Sequence, residues 1–96
     1  MEKLRRLYDI SDPDEVNRRA QQFNLNPVHP SSQARFKYMI FDGSKMIHFG
    51  SMIPPYEDYT KHKNLKRLEN FRKRNHNWAY APIYSPAWLS WNLLWK

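Results

Sequence analysis

Residues 36–74 decide the fold, and they read FKYMIFDGSKMIHFGSMIPPYEDYTKHKNLKRLENFRKR. An alternating apolar run that surrounds a turn signal is followed by a proline pair and then by a basic segment with helical periodicity. The sequence therefore predicts a tight β-hairpin over residues 36–49, a stop at Pro54-Pro55 and a basic amphipathic helix over about residues 56–74.

The turn signal DGS, residues 42–44, allows two hairpin registers. If DG forms the two-residue loop, Phe41 faces a serine. If GS forms the loop, with glycine first as a type II′ turn prefers, Phe41 faces Met46 and Asp42 faces Lys45. The second register pairs apolar side chains with each other and opposite charges with each other, so the sequence favours it.

Both faces of the hairpin are largely apolar in that register. One face carries five alternating residues: Phe36, Tyr38, Ile40, Ile47 and Phe49. A lone hairpin cannot keep a second apolar face in water, so either the chain's own helices or another protein must cover it. The residues on that second face are the predicted protein interface: Met39, Phe41, Met46 and His48.

Two further helices are predicted on either side of this stretch. The N-terminal one, about residues 13–24, begins with a proline after a capping residue and carries apolar residues at helical spacing. The C-terminal one, about residues 85–95, begins at Ser85-Pro86 and is rich in tryptophan. Residues 26–33 contain two prolines and are predicted to be a linker loop, with an interaction arm as the alternative.

The predicted fold class is α+β, in one small domain whose hairpin packs against the basic helix, the tryptophan-rich helix and the N-terminal helix. Ninety-six residues suffice for one domain, and an aromatic content of 16% lets a thin core bury a large area. Within the domain, residues 1–35 form the N-terminal helix and its proline-containing arm, and residues 36–96 form the core module.

The positive charge is concentrated in the basic helix. The chain has a net charge of +7, and residues 61–76 hold seven lysines and arginines against Glu69 alone. Like charges on neighbouring helical turns repel, so a polyanion is expected to bind this segment. The predicted polyanion-binding residues are Lys61, Lys63, Lys66, Arg67, Arg72, Lys73 and Arg74. Aromatic residues flank them as in single-strand binders, and the predicted contacts are Tyr56, Tyr59, Trp78, Tyr80 and Tyr84.

No catalytic constellation is visible in the sequence. The chain has no cysteine, which excludes disulfides and thiolate metal sites, and its four histidines are not at zinc-ligand spacing. Two glycines cannot form a glycine-rich phosphate loop. The chain is therefore predicted to be non-enzymatic, without metal, cofactor, small-molecule substrate or membrane span.

Several separated motifs follow one another along the chain: KYMIFDGSKMIHFG (37–50), YEDYTKH (56–62), RLENFRKRN (67–75) and YSPAWLSWNLLW (84–95). Together they resemble a family of small basic, mostly uncharacterised proteins of large eukaryotic DNA viruses and related phages. Asn64 stands where that family often has an acidic residue, and Pro54-Pro55 stands at a usually more glycine-like place. The resemblance implies a viral context and supplies no catalytic residues.

A non-enzymatic structural protein of the virion is predicted from this context, from the basic helix and from the second apolar face of the hairpin. Such a minor capsid or internal component would bridge capsid proteins and contact the genome, with double-stranded DNA as a further partner. Its expected location is the virion, after assembly in the host cell. The alternative is a DNA-binding protein that acts in genome packaging or replication through the basic helix.

Overall fold

The computed structural model describes residues 2–53 and 56–96 of the chain, so the predicted stop at Pro54-Pro55 lies outside the described residues. Within these residues the chain forms five helices: α1 Glu2–Ile10, α2 Pro13–Gln22, α3 Tyr59–His62, α4 Leu65–Arg74 and α5 Pro86–Leu89. It also forms three strands: β1 Val28–Pro30, β2 Phe36–Phe41 and β3 Met46–Ser51. The predicted α+β class is confirmed.

The hairpin of β2 and β3 has the register that the turn chemistry favours. Tyr38 is opposite Phe49 and Phe41 is opposite Met46, as predicted. The Asp42 amide donates to the Lys45 carbonyl oxygen at 3.0 Å, which closes the loop. The Asp42 carboxylate accepts from the Ser44 amide at 2.7 Å and from the Lys45 amide at 2.8 Å, so one side chain satisfies two backbone donors of the turn.

The prediction of a sheet with only two strands is wrong, because β1 pairs antiparallel with β2 and completes a β1-β2-β3 sheet. The predicted loop over residues 26–33 therefore contains an edge strand. Its outer edge is held by Asn17, whose side chain accepts from the Val28 amide at 2.8 Å and donates to the Val28 carbonyl at 3.1 Å. Pro30 can occupy this edge because an edge strand does not need every donor.

The basic helix predicted over residues 56–74 is in fact two helices. Asp58 caps α3, and the helix ends at Lys63, which adopts a left-handed backbone with φ of 55°. The Asn64 side chain then accepts from the Arg67 amide at 3.1 Å and starts α4. A short polar side chain that binds the backbone locally competes with helix continuation, which explains the break.

The C-terminal helix is also interrupted. Four residues of α helix, α5, are followed by a π-helical turn over Ser90–Leu94, in which the Trp95 amide donates to the Ser90 carbonyl at 3.1 Å. A 3-10 helix, His76–Tyr80, precedes α5. Ser85 caps α5 through the Trp88 amide, as the sequence predicts.

One hydrophobic cluster contains residues from both ends of the chain. The N-terminal residues that join it are Leu7, Val16, Ala20 and Val28, and the later ones include Tyr38, Ile40, Phe49, Leu89 and Leu93. Tyr38, Ile40 and Phe49 belong to the hairpin face predicted to be core, and each is at most 1% exposed. Residues 1–35 thus contribute side chains to the same core as residues 36–96.

A chain of buried polar groups connects β2 to both N-terminal helices. The Lys37 ammonium lies 3.0 Å from the Asp58 carboxylate, and these side chains are 3% and 0% exposed. Tyr38 donates to the Ser11 hydroxyl at 2.6 Å, and Ser11 lies 3.2 Å from the Thr60 hydroxyl. Thr60 donates in turn to Asp58, so the chain of donors ends on the carboxylate that pairs with Lys37. Burial lowers the pKa of Lys37, and the Asp58 charge opposes that shift.

Replacement Asp58→Asn should lower the free energy of unfolding by about 3–5 kcal/mol, because it leaves the Lys37 ammonium buried without its counter-charge. Urea denaturation followed by circular dichroism measures this loss. Adding Lys37→Met to Asp58→Asn should restore part of the stability, since no unpaired charge then remains. Glu57→Gln, at the partly exposed neighbouring carboxylate, is the control and should cost at most about 1 kcal/mol. A loss below about 1 kcal/mol for Asp58→Asn would show that the pair is not a structural requirement.

Candidate functional site

A groove of about 1270 Å³ lies between the end of the β2–β3 hairpin, α4 and the start of α5. The hairpin side contributes Arg35, Lys37 and Gly50, and α4 contributes Arg67 and Arg74. The α5 side contributes small and hydroxyl residues, namely Ser85, Ala87 and Ser90. This space, called the α4 groove below, brings several predicted site residues together.

Helical spacing determines which α4 side chains line the groove. Arg67, Asn70, Phe71 and Arg74 recur at i, i+3, i+4 and i+7, so they share one face of the helix. Phe71 is 9% exposed and stacks on Trp95 with 4.2 Å between ring centroids. Because this stack joins α4 to the C-terminal segment, the groove wall is part of the folded core.

The groove carries an excess of positive charge. Four cationic side chains line it, Arg35, Lys37, Arg67 and Arg74, against the single carboxylate of Glu57. Glu57 lies 3.5 Å from Arg67, and buried Asp58 neutralises Lys37. Arg35 and Arg74 are exposed, and among the described residues neither has a carboxylate within 4 Å.

Four exposed cations, Lys66, Arg67, Lys73 and Arg74, form a basic stripe along α4. Their positions fall on the same half of the helix, which borders the groove through Arg67 and Arg74. Only Arg67 of the four takes part in an ion pair among the described residues. Glu69 stands one helical turn from Lys66 and from Lys73, so the stripe presents a net excess of positive charge to solvent.

The remaining three predicted polyanion-binding residues lie outside the basic stripe. Lys61 donates to a carbonyl oxygen of α1 at 2.8 Å, and Lys63 lies at the end of α3. Arg72 points to the opposite side of α4, where its Nε donates to the Trp95 carbonyl at 3.0 Å and its guanidinium lies 4.3 Å from the Trp91 ring centre. The contacts of Lys61 and Arg72 hold the fold together, and Lys63 is an exposed residue outside α4, so these three cations are separate from the stripe.

The predicted aromatic contacts also form two groups, those that line the α4 groove and those that do not. Tyr56, which is 57% exposed, and the half-buried Trp78 line the α4 groove. Tyr59 packs edge-on to a histidine ring, and the Tyr84 hydroxyl accepts from a backbone amide of residue 26 at 3.4 Å. Tyr80 is 87% exposed and lies outside the groove lining.

Sequence reasoning missed two residues that shape the groove. Arg35 lies just before β2, and its carbonyl accepts from the Met52 amide at 2.9 Å, which fixes it at the groove rim. Trp95, one of the tryptophans of the predicted C-terminal helix, also lines the groove. The one feature of the sequence that points to Arg35 is its charge, which stands directly before a predicted strand.

The predicted protein-interface residues lie together on the second face of the hairpin. Phe41 is 46% exposed and Met46 is 40% exposed, and these two are cross-strand partners. Met39 and His48 are half-buried, and His48 Nδ1 lies 2.7 Å from the Ser31 hydroxyl. The exposed part of this face is therefore the end near the turn.

His62 occupies an aromatic cluster next to the groove wall. Its ring centre lies 5.3 Å from that of Trp95, and its Nδ1 accepts from the Asn64 amide at 2.9 Å. Its Nε2 is buried and has no hydrogen-bond partner among the described residues. Burial is the main reason that the pKa of His62 is lowered, with the nearby Arg67 charge acting in the same direction.

Other classes of site are not visible in residues 2–53 and 56–96. No group of three or more histidine or carboxylate side chains there could hold a metal ion. Across those same ranges, no helix has the length and apolar character needed to cross a membrane.

Comparison with protein families gives one finding for residues 27–75. This stretch matches the model described as a family of unknown function (DUF5754). The matched residues contain the whole sheet, α3, α4 and the arginines at positions 35, 67 and 74. Comparison with curated proteins and with solved structures gives no match.

The lowered pKa of His62 predicts that acid destabilises the fold. Because the folded state favours the neutral ring, the unfolded chain binds more protons below about pH 6.5, and stability is lost as the pH falls through that value. Replacement His62→Phe keeps an aromatic ring and should make the decrease of the unfolding free energy between about pH 7 and pH 5 shallower. Urea titrations across this range measure it.

The matched control for that experiment is His29→Phe, at an exposed position on β1. This variant should lose stability with falling pH as steeply as the parent chain does. An unchanged slope in His62→Phe would show that His62 does not contribute to the acid response.

Proposed function

The chain belongs to the DUF5754 family, and we propose that it is a non-enzymatic protein that binds the phosphate backbone of nucleic acid through the basic stripe of α4. One observation carries the proposal. Lys66, Arg67, Lys73 and Arg74 are all exposed on one half of a ten-residue helix, and they outnumber the two nearby carboxylates, Glu57, which lies 3.5 Å from Arg67, and Glu69, which stands one helical turn from Lys66 and from Lys73.

The length of the stripe suits a phosphate backbone. Residues 66 to 74 of a helix span about 12 Å, at a rise of about 1.5 Å per residue. Double-stranded DNA carries about one negative charge per 1.7 Å of axis, so the stripe can face several phosphates at once. Four cations at this spacing gain affinity mainly by releasing counterions, which needs no base-specific contact.

The state of the nearby titratable groups supports a binding role over a catalytic one. Lys37 is engaged by Asp58 inside the fold, and Glu57 is next to Arg67. General acid–base catalysis needs a group whose proton can be transferred to a bound reactant. The groove offers hydrogen-bond donors and ring faces instead, which are the groups that binding sites use.

Affinity for a short labelled DNA duplex should fall with salt, with a slope of log K against log [salt] of about −3.6 if all four cations contact phosphates. Fluorescence anisotropy at a series of salt concentrations measures this slope. The double variant Lys66→Ala/Lys73→Ala should make the slope shallower by about 2, since each phosphate contact contributes about 1.

Lys45→Ala is the matched control, because Lys45 is an exposed cation at the hairpin turn and lies outside the stripe. This variant should bind with the slope of the parent chain. Absence of binding at low salt, or an equal loss in Lys45→Ala, would contradict the proposed function.

A second candidate is a structural component of the virion, either a minor capsid protein or an internal protein that bridges capsid proteins and contacts the genome. The observation that favours it is the exposed apolar pair Phe41 and Met46 on the second face of the hairpin. An exposed apolar pair at the turn end of the hairpin, in addition to a separate basic surface on α4, suits a protein that contacts a protein neighbour and a polyanion together. The resemblance to proteins of large DNA viruses supports the same context.

A virion component should be present at many copies in purified particles of the virus that carries its gene. Mass spectrometry of such particles measures the copy number against the major capsid protein. Its absence from the particles would contradict the structural role and would leave DNA binding to act elsewhere in the infected cell.

A further inference from the structure

We propose that the α4 groove binds unpaired bases, so that the chain prefers single-stranded to double-stranded nucleic acid. This inference rests on the proposed function, since the basic stripe holds the backbone while the groove receives the bases. The two surfaces are continuous, because Arg67 and Arg74 belong to the stripe and also line the groove. A strand that follows the stripe therefore passes the mouth of the groove.

The size of the groove suits a segment of a polymer as its ligand better than it suits a single small molecule. Its volume of about 1270 Å³ exceeds the roughly 300–1,000 Å³ of pockets that enclose a single small molecule. Arg67 and Arg74 of the stripe are exposed residues of its lining, so a strand bound along the stripe lies next to the groove. One or more nucleotides of a longer strand fit such a space better than a lone ligand does.

The aromatic lining supplies surfaces for stacking. Tyr56 and Trp78 both line the groove, and Trp78 stands at 80° to Phe71, with 5.6 Å between ring centroids. Phe71 is itself stacked on Trp95, so Trp78 is held in position before any ligand binds. A preorganised ring loses little entropy on binding, and every base has a flat face that can stack on it.

Two different elements contribute arginines to the groove lining. Arg35 comes from the hairpin side and Arg74 from the end of α4, so more than one cation is available to phosphates next to a stacked base. Guanidinium groups bind phosphate oxygens in a bidentate manner. A duplex keeps its bases stacked on each other and offers no base face to Trp78, whereas a single strand can place bases in the groove.

The test uses the full chain and three labelled oligomers of equal length: oligo-deoxythymidine, the same phosphodiester backbone without bases, and a duplex. Oligo-deoxythymidine should bind about 5- to 150-fold more tightly than the baseless strand, which corresponds to one stacked base. It should also bind more tightly than the duplex. Equal affinity for the strands with and without bases, or tighter binding of the duplex, would overturn the proposal.

Two groove variants and one matched control assign the effect to the groove. Trp78→Ala and Tyr56→Ala should each reduce binding of oligo-deoxythymidine at least about fivefold and leave binding of the baseless strand unchanged. Tyr56 is 57% exposed, so its replacement keeps the test valid if Trp78→Ala destabilises the fold. Tyr80→Ala, at a ring that is 87% exposed outside the groove, should have no effect.

The outcomes separate the two proposals. If no oligomer binds in a salt-dependent manner, the proposed function fails and the groove proposal fails with it. If all three oligomers bind with similar affinity and the same salt dependence, the proposed function stands and only the groove proposal is overturned. If a polyglutamate peptide displaces oligo-deoxythymidine as well as the unlabelled oligomer does, the groove is a site for acidic peptides.

Discussion

The contact between the Lys37 ammonium and the Asp58 carboxylate is the constraint on which the rest of the structure depends. Its two side chains are almost completely buried, and removal of charges from water is costly unless partners satisfy them. Asp58 meets this requirement by accepting from Lys37 and from the amide and hydroxyl of Thr60. Because Thr60 also contacts Ser11, one carboxylate brings together β2, α3 and the junction of α1 and α2. The interior of this small domain therefore has a polar centre as well as an apolar one.

The same contact determines where the groove lies. Lys37 forms part of the groove wall, and Asp58 immediately precedes α3, so the pair fixes the chain directly after Tyr56 and Glu57. From there α3 and the Asn64 cap set the direction of α4 and hence of the basic stripe. The exposed basic stripe is thus positioned by an ion pair that is itself almost completely buried.

Much of the hairpin could be predicted from the sequence, because its register depends on local turn chemistry and on cross-strand pairs such as Phe41 with Met46. The third strand could not, since its outer edge is completed by the side chain of Asn17, which lies in a helix. The basic helix is divided for a local reason, the Asn64 cap. The run of basic residues over 56–74 does not reveal this division. The groove could not be predicted because Arg35, Arg74 and Trp95 are far apart in the sequence and meet only after folding.

The amide of Asn17 has a consequence for how this chain can associate with others. An edge strand usually offers unpaired backbone groups to which a foreign strand can add, and proteins block such edges to avoid uncontrolled growth of the sheet. Here the amide and carbonyl of Val28 are both taken by Asn17, and Pro30 brings no backbone donor at all. The β1 edge is thereby closed to extension by a neighbour's backbone. Any ordered assembly that includes this edge must be built from side-chain contacts, which can be specific and limited in number.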